Sequence, residues 1–180
     1  LGGRTLTIGG AASFTGTSSA NRLGIDPGAG WTLAVTGALT GSFATVNYST
    51  ASATAGTCTN CANTGNNSNW TFAVGWDGGA GDGLWSSANN WGSDFVPSTL
   101  DAVTFNSTSA NATLDIAASV ESIAFTTGYT GAFNFSTNTL TVNDGNADFS
   151  TGGSIVPGSG TLAFTSTTAQ VFTPKAGATF

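Results

Sequence analysis

Two parts of the chain share one sequence pattern at an offset of 129 to 134 residues. Thr5-Leu6-Thr7-Ile8 recurs as Thr139-Leu140-Thr141-Val142. The same alignment pairs residues 12–16 with 147–152, and residues 27–35 with 157–164. The offset changes by only a few residues across the three matches, as in one repeat with small deletions. Such self-similarity is the signature of a repeat architecture, so we expect this chain to be a window cut from a tandem array of similar units.

Apolar and polar residues alternate along many short segments, and helical periodicity is missing. Alternation with a period of two is typical of β-strands with one buried face. Clusters of Gly, Asn and Ser separate the segments, which marks turns. The pattern predicts an all-β chain with strands at 5–8, 31–35, 43–46, 102–105, 112–116, 122–125, 132–135, 139–142 and 161–164.

Charged residues are scarce, and this excludes several classes of function. The 180 residues include three Lys or Arg, nine Asp or Glu and no His, for a net charge of −6. Without His there is no imidazole for a catalytic triad or for metal ligation. An acidic chain with three cations is unsuited to binding nucleic acid. No apolar run approaches the ~18 residues that a membrane span needs, so we expect no membrane insertion.

The two cysteines, Cys58 and Cys61, form a CxxC motif in a stretch of small polar residues. A disulfide that pins an exposed loop is the favoured interpretation, and it indicates an oxidising compartment. A thioredoxin-like redox motif would need a following helix, and a four-thiolate zinc site would need a second CxxC. The surrounding stretch 49–75, rich in Asn, Gly and Ser, is predicted to be an excursion or connection.

The segment from Trp76 to Phe105 has the pattern WDGG…W…NW…P…DxVxF. It resembles the repeat units of large secreted bacterial surface proteins, such as autotransporter passenger regions and giant tandem-repeat adhesins. The resemblance implies a right-handed parallel β-helix, or β-solenoid, at an extracellular or cell-surface location with a structural or adhesive role. An antiparallel β-sandwich is the main alternative fold.

On this interpretation the chain has three parts. Residues 1–48 are predicted to be the end of one solenoid unit, 49–75 the connection, and 76–180 the start of the next unit. Solenoid units stack along one axis, and each coil edge is covered by the next coil. The expected partners are therefore neighbouring repeat units, or copies of the chain placed end to end. Surface glycans are a further possible partner.

Four tryptophans, Trp70, Trp76, Trp85 and Trp91, lie close together in the sequence and allow two interpretations. Aromatic rings bury large apolar areas, so the four could form an apolar plug at a unit junction. Exposed rings could instead stack on sugars, as in a carbohydrate-binding module. The junction is the favoured interpretation.

Asp77, Asp82 and Asp101 lie in or near a Gly-rich segment that superficially resembles a calcium loop. Calcium takes several oxygen ligands, but neither the tandem nonapeptide repeat nor the EF-hand pattern is complete here. A Gly turn capped by aspartates is the alternative, and no other cofactor is expected.

The candidate catalytic side chains are all carboxylates, namely Asp101, Asp115, Glu121, Asp144 and Asp148. Some parallel β-helices degrade polysaccharides, and glycosidases need paired carboxylates. No basic group lies near these carboxylates in sequence, so we expect that the chain is not an enzyme. Rows of Thr raise ice binding as another possibility, but the pairs Thr5/Thr7 and Thr139/Thr141 do not recur at a short period. The expected function is a structural segment of a surface fibre, filament or adhesin stalk.

Overall fold

The computed structural model describes residues 3–25, 28–106, 108 and 110–177. Its long-range strand pairs are parallel, which confirms the predicted all-β solenoid and does not fit an antiparallel sandwich. The chain divides into two compact units, Leu1–Ala73 (unit 1) and Val74–Phe180 (unit 2).

Unit 1 is a stack of coils in which each coil contributes one strand to each of three sheets. The sheet orders within this unit are β1-β4-β7, β2-β5-β8-β10 and β3-β6-β9. The strands are β1 (Thr5–Ile8), β2 (Ala12–Thr15), β3 (Leu23–Ile25), β4 (Trp31–Val35), β5 (Leu39–Ser42), β6 (Ala44–Val46), β7 (Ser49–Ser52), β8 (Gly56–Thr59), β9 (Ala62–Asn63) and β10 (Trp70–Trp76), the last containing the boundary.

Unit 2 has the same three-sided construction. Its sheet orders are β11-β14-β17-β20, β12-β15-β18 and β13-β16-β19. A single 3₁₀ turn, Ala88–Asn90, precedes the first strand. The strands are β11 (Asp101–Phe105), β12 (Ala112–Thr113), β13 (Ala118–Val120), β14 (Ser122–Phe125), β15 (Ala132–Asn134), β16 (Thr139–Val142), β17 (Ala147–Asp148), β18 (Ser154–Val156), β19 (Thr161–Phe164) and β20 (Phe172–Thr173).

Side chains alternate between the interior and the outer faces, as a strand requires. In β4, Trp31, Leu33 and Val35 are buried while Thr32 and Ala34 are partly exposed. Each unit has its own apolar cluster of inward residues. Uncharged Thr, Ser and Ala cover much of the faces, which avoids the repulsion of like charges on neighbouring strands.

The stretch 49–75, expected to be an excursion or connection, instead carries strands β7 to β10. Ser49–Ser52 pairs with β4, and Gly56–Thr59 pairs with both β5 and β10. Strands β7 and β8 show little hydrophobic contrast because their inward side chains, Ala51, Gly56 and Cys58, are small. Strand β10 alternates large inward residues with small outward ones, so its period of two could have predicted it. The boundary between the two units accordingly lies at residues 73 and 74.

The sequence repeat has a counterpart in strand pairing within each unit. Thr5 of β1 is paired with Thr32 of β4, and the aligned Thr139 of β16 is paired with the aligned Thr161 of β19. The next strand pair follows the same rule, because Ala12 of β2 is paired with Leu39 of β5, and the aligned Ala147 of β17 is paired with Phe172 of β20. The segment β1 to β5 therefore corresponds, strand by strand, to β16 to β20.

Candidate functional site

Of the four tryptophans predicted to form one cluster, three meet in the core of unit 2. The Trp91 ring centroid lies 4.9 Å from that of Trp76 and 4.6 Å from that of Trp85, both in edge-on geometry. Trp91 Nε1 donates to the Trp85 carbonyl at 2.9 Å. Phe105 and Phe133 complete this group, which we call the aromatic cluster. Edge-on aromatic pairs add to the energy of burial.

Trp70 does not belong to the aromatic cluster. It packs in the apolar cluster of unit 1, where its ring lies 6.2 Å from that of Phe72 and its Nε1 donates to Ser49 Oγ. A Cβ at Gly56 would lie 2.5 Å from the Trp70 ring, so this ring occupies the space that a larger residue at position 56 would need.

All five tryptophans of the chain are buried. The most exposed, Trp70, has 9% of its surface accessible, and Trp85 and Trp91 have none. A sugar needs an accessible ring face to stack on, so these side chains offer no such platform as they stand.

The Gly-rich loop after Trp76 is organised around the Asp82 carboxylate. Asp82 accepts hydrogen bonds from the Leu84 backbone N–H, the Ser87 hydroxyl and the Asn90 amide. These three donors, the Leu84 N–H first among them, lower the pKa of Asp82. Asn90 in turn accepts from the Ala80 N–H, which closes the loop. Asp82 is thus a cap for the turns on either side of it.

The three predicted calcium ligands do not converge. Asp77 accepts from the Gly79 N–H in its own turn. Asp101 is 5% exposed and accepts from both the N–H and the hydroxyl of Ser98, at 2.7 and 2.8 Å. Burial raises the pKa of Asp101, with the two Ser98 bonds acting against it. Within the described ranges, no three acidic or Cys side chains gather as a metal site would require.

Among the other carboxylates, Asp148 holds a local turn, whereas Asp115 and Asp144 accept hydrogen bonds from residues 29 and 22 positions away along the chain. Asp115 accepts from the N–H and hydroxyl of Ser86. Asp148 accepts from the hydroxyl and N–H of Ser150, and these bonds lower the pKa of Asp148. Asp144 accepts from the Ser166 hydroxyl. Glu121 takes part through its backbone: its main-chain carbonyl accepts a hydrogen bond from the Gly145 N–H.

Cys58 and Cys61 form a disulfide. Both are buried in the apolar cluster of unit 1, so the bond lies inside the solenoid and not on an exposed loop. Gly41 faces Cys58 across the sheet, and a Cβ at position 41 would lie 2.5 Å from the Cys58 sulfur. A disulfide is typical of proteins from an oxidising compartment.

Two rows of hydroxyl side chains run up the β2-β5-β8-β10 face of unit 1. Strand registers align them across successive coils, about 4.8 Å apart between strands and about 6.6 Å apart along each strand. We call them the hydroxyl columns: Ser13, Thr40, Thr57 and Thr71 in one, and Thr15, Ser42 and Thr59 in the other. The columns are not visible in the sequence because coil length varies, so that the pairs 13/15, 40/42 and 57/59 lack a constant spacing. Six of the seven are exposed.

The fold and side chains define a parallel β-solenoid protein with two units, each closed around its own apolar core. No protein-family model, curated protein or solved structure matches this chain. Across the part of the chain that the structure describes, no helix has the length and apolar character needed to cross a bilayer.

Proposed function

We propose that the chain is a structural segment of an extracellular tandem-repeat fibre, filament or adhesin stalk, built by stacking solenoid coils end to end. The observation that carries this proposal is the sequence match of β1, β2 and β4 with β16, β17 and β19, together with the matching registers of the pairs β1–β4 and β16–β19 and of the pairs β2–β5 and β17–β20. A sequence that repeats its coil construction can be extended coil upon coil along one axis.

Three further features support a structural role. The faces are poor in charge, which suits stacked strands carrying similar residues. The tryptophans fill the interiors of the units, where they contribute cohesion and not a binding platform. The buried disulfide fits an oxidising location such as the cell surface.

Electron microscopy of concatenated copies tests the proposal. Chains in which residues 1–180 are followed by zero, one or three further copies of residues 47–180 would be imaged by negative staining, because in sequence Ala178-Thr179-Phe180 parallels Ala44-Thr45-Val46 and residue 47 continues the coil in phase. Stacking predicts particles of constant width whose length grows by an equal increment with each copy. Globular particles, or beads joined by flexible linkers, would overturn the proposal.

A second candidate function, ice binding, is favoured by the hydroxyl columns. Their hydroxyl and methyl groups are held at fixed spacings on one sheet and could order water into lattice-like positions. Its test is inhibition of ice recrystallisation. Thr57→Leu, in the middle of one column, should reduce the inhibition, whereas Thr104→Leu, on β11 beside Ala124, should leave it unchanged. Equal growth of ice crystals with and without the protein would exclude this function.

A further inference from the structure

The last coil of unit 2 exposes side chains that belong to the solenoid interior. Strands β18, β19 and β20 are each the last in their sheets among the described strands. Phe164 and Phe172 are 38% and 37% exposed, although the residues they pair with, Val142 and Ala147, are fully buried. We call this surface the open end of unit 2.

An apolar cavity of about 250 Å³ lies at the open end. Phe135, Leu162, Phe164 and Phe172 provide most of its apolar lining, with Pro157 and Gly160 at its side. Exposed apolar patches with unpaired sheet edges are the kind of surface that another strand or coil covers.

Unit 1 shows which coil covers the same strands when they lie inside a stack. Leu162, Phe164 and Phe172 of unit 2 align with Leu33, Val35 and Leu39 of unit 1, which are at most 2% exposed. The difference is the next coil: β7 pairs with β4 and β8 pairs with β5, so that Ala51 lies against Leu33 and Gly56 against Leu39. Strand β3, which aligns with β18, is covered by β6 in the same way.

We propose that the open end of unit 2 is a docking surface for a solenoid segment of the same kind as Ser49–Thr59, supplied by a neighbouring repeat. The docked segment would add one strand to each of β19 and β20, in the registers that β7 and β8 have in unit 1. Small inward residues are required, as Ala51, Gly56 and Cys58 are in unit 1. This inference rests on the proposed stacking function and names the surface and the partner through which stacking occurs.

An extended chain provides the test. In sequence, Ala178-Thr179-Phe180 parallels Ala44-Thr45-Val46, so a second copy of residues 47–69 can follow Phe180 in phase. Amide hydrogen exchange of β19 and β20 is then compared between the chain of 180 residues and the extended chain. Docking predicts exchange at least about tenfold slower at both strands, because burial of Phe164 and Phe172 opposes local opening.

Two matched variants of the added segment separate docking from a nonspecific effect of length. Ala51→Asp in the added copy places a charge at an inward position and should abolish the protection. Thr50→Asp, its outward neighbour, should preserve most of it. Unchanged exchange with the unmodified extension, or equal protection with both variants, would overturn the docking surface.

The two proposals fail in different ways. Slower exchange together with globular concatenated particles would leave the docking surface standing and remove the fibre. Rods of regular length without protection of β19 and β20 would support the fibre but place the contact elsewhere.

Discussion

At the scale of single residues, Asp82 and Asp101 have pKa values shifted in opposite directions by their surroundings. Asp101 is buried, and this desolvation outweighs the two hydrogen bonds from Ser98, so its pKa is raised. Asp82 is solvated and accepts from three donors, so its pKa is lowered. The two residues should therefore affect stability in opposite senses as pH changes.

Asp101→Asn should stabilise the protein at neutral pH. Because the folded pKa of Asp101 lies above the unfolded value of about 3.9, its contribution to stability is full below that value and is lost as pH rises through the folded pKa. Asn keeps an acceptor for Ser98 without a buried charge. Urea midpoints at pH 7 should rise relative to the parent, and the difference should shrink near pH 3. Asp144→Asn, on an exposed carboxylate, is the control, and a lower midpoint for Asp101→Asn at pH 7 would contradict this explanation.

Asp82→Asn should have the opposite pH dependence. The folded pKa of Asp82 is lowered, so its stabilising contribution is present above about pH 3.9 and is lost as pH falls through the folded pKa. The variant should melt at a lower temperature than the parent at pH 7 and at nearly the same temperature near pH 2. A deficit that is equally large at both pH values would mean that the ionised carboxylate is not what holds the loop.

At the scale of elements, the aromatic cluster organises the start of unit 2. Trp91 is fully buried between Trp76, Trp85 and Phe105. Trp91→Ala should lower the free energy of unfolding by about 3–5 kcal/mol, whereas Trp91→Phe should cost less because the ring contacts partly remain. Urea unfolding followed by circular dichroism measures both. Equal midpoints for the parent and Trp91→Ala would show that the cluster does not stabilise the unit.

The disulfide should stabilise unit 1 selectively. Its closed loop spans only Cys58 to Cys61, so the chain-entropy contribution is small, about 2 kcal/mol. Replacing both cysteines with Ala should speed amide exchange in β5 and β8 and leave β16 unchanged. Equal acceleration in β8 and β16 would contradict a contribution confined to unit 1.

A period of two predicts a strand most clearly where the inward side chains are large, although β10 (Trp70–Trp76), which alternates in this way, was not among the predicted strands. Strands β4, β16 and β19 alternate Leu, Val or Phe with Thr and Ala, and the period of two predicted them. Strands β7 and β8 place Ala51, Gly56 and Cys58 inward, because the disulfide and the Trp70 ring already fill that part of the interior. Alternation among small residues gives little hydrophobic contrast, so the stretch was predicted to be a connection.

The structure contains only part of the predicted tryptophan cluster. Nearness in sequence grouped Trp70 with Trp76, but the inward residues of β10 divide between two clusters, so that Trp70 packs in unit 1 and Trp76 in unit 2. The hydroxyl columns depend on register, and registers of 27, 17 and 14 residues between neighbouring strands have no single period in the sequence.

At the scale of the whole molecule, we expect coils of this sequence to stack in parallel along one axis and to continue from one repeat to the next. Paired strands in such a stack are about 4.8 Å apart along the axis. The same spacing should therefore persist through a long assembly of concatenated copies.

X-ray fibre diffraction from aligned assemblies of four or more concatenated copies tests this claim most directly. End-to-end stacking predicts a sharp meridional reflection at about 4.8 Å, since the strands would lie across the long axis and the coils would repeat along it. An arc at that spacing centred on the equator, or rings without orientation from well-aligned particles, would contradict end-to-end stacking.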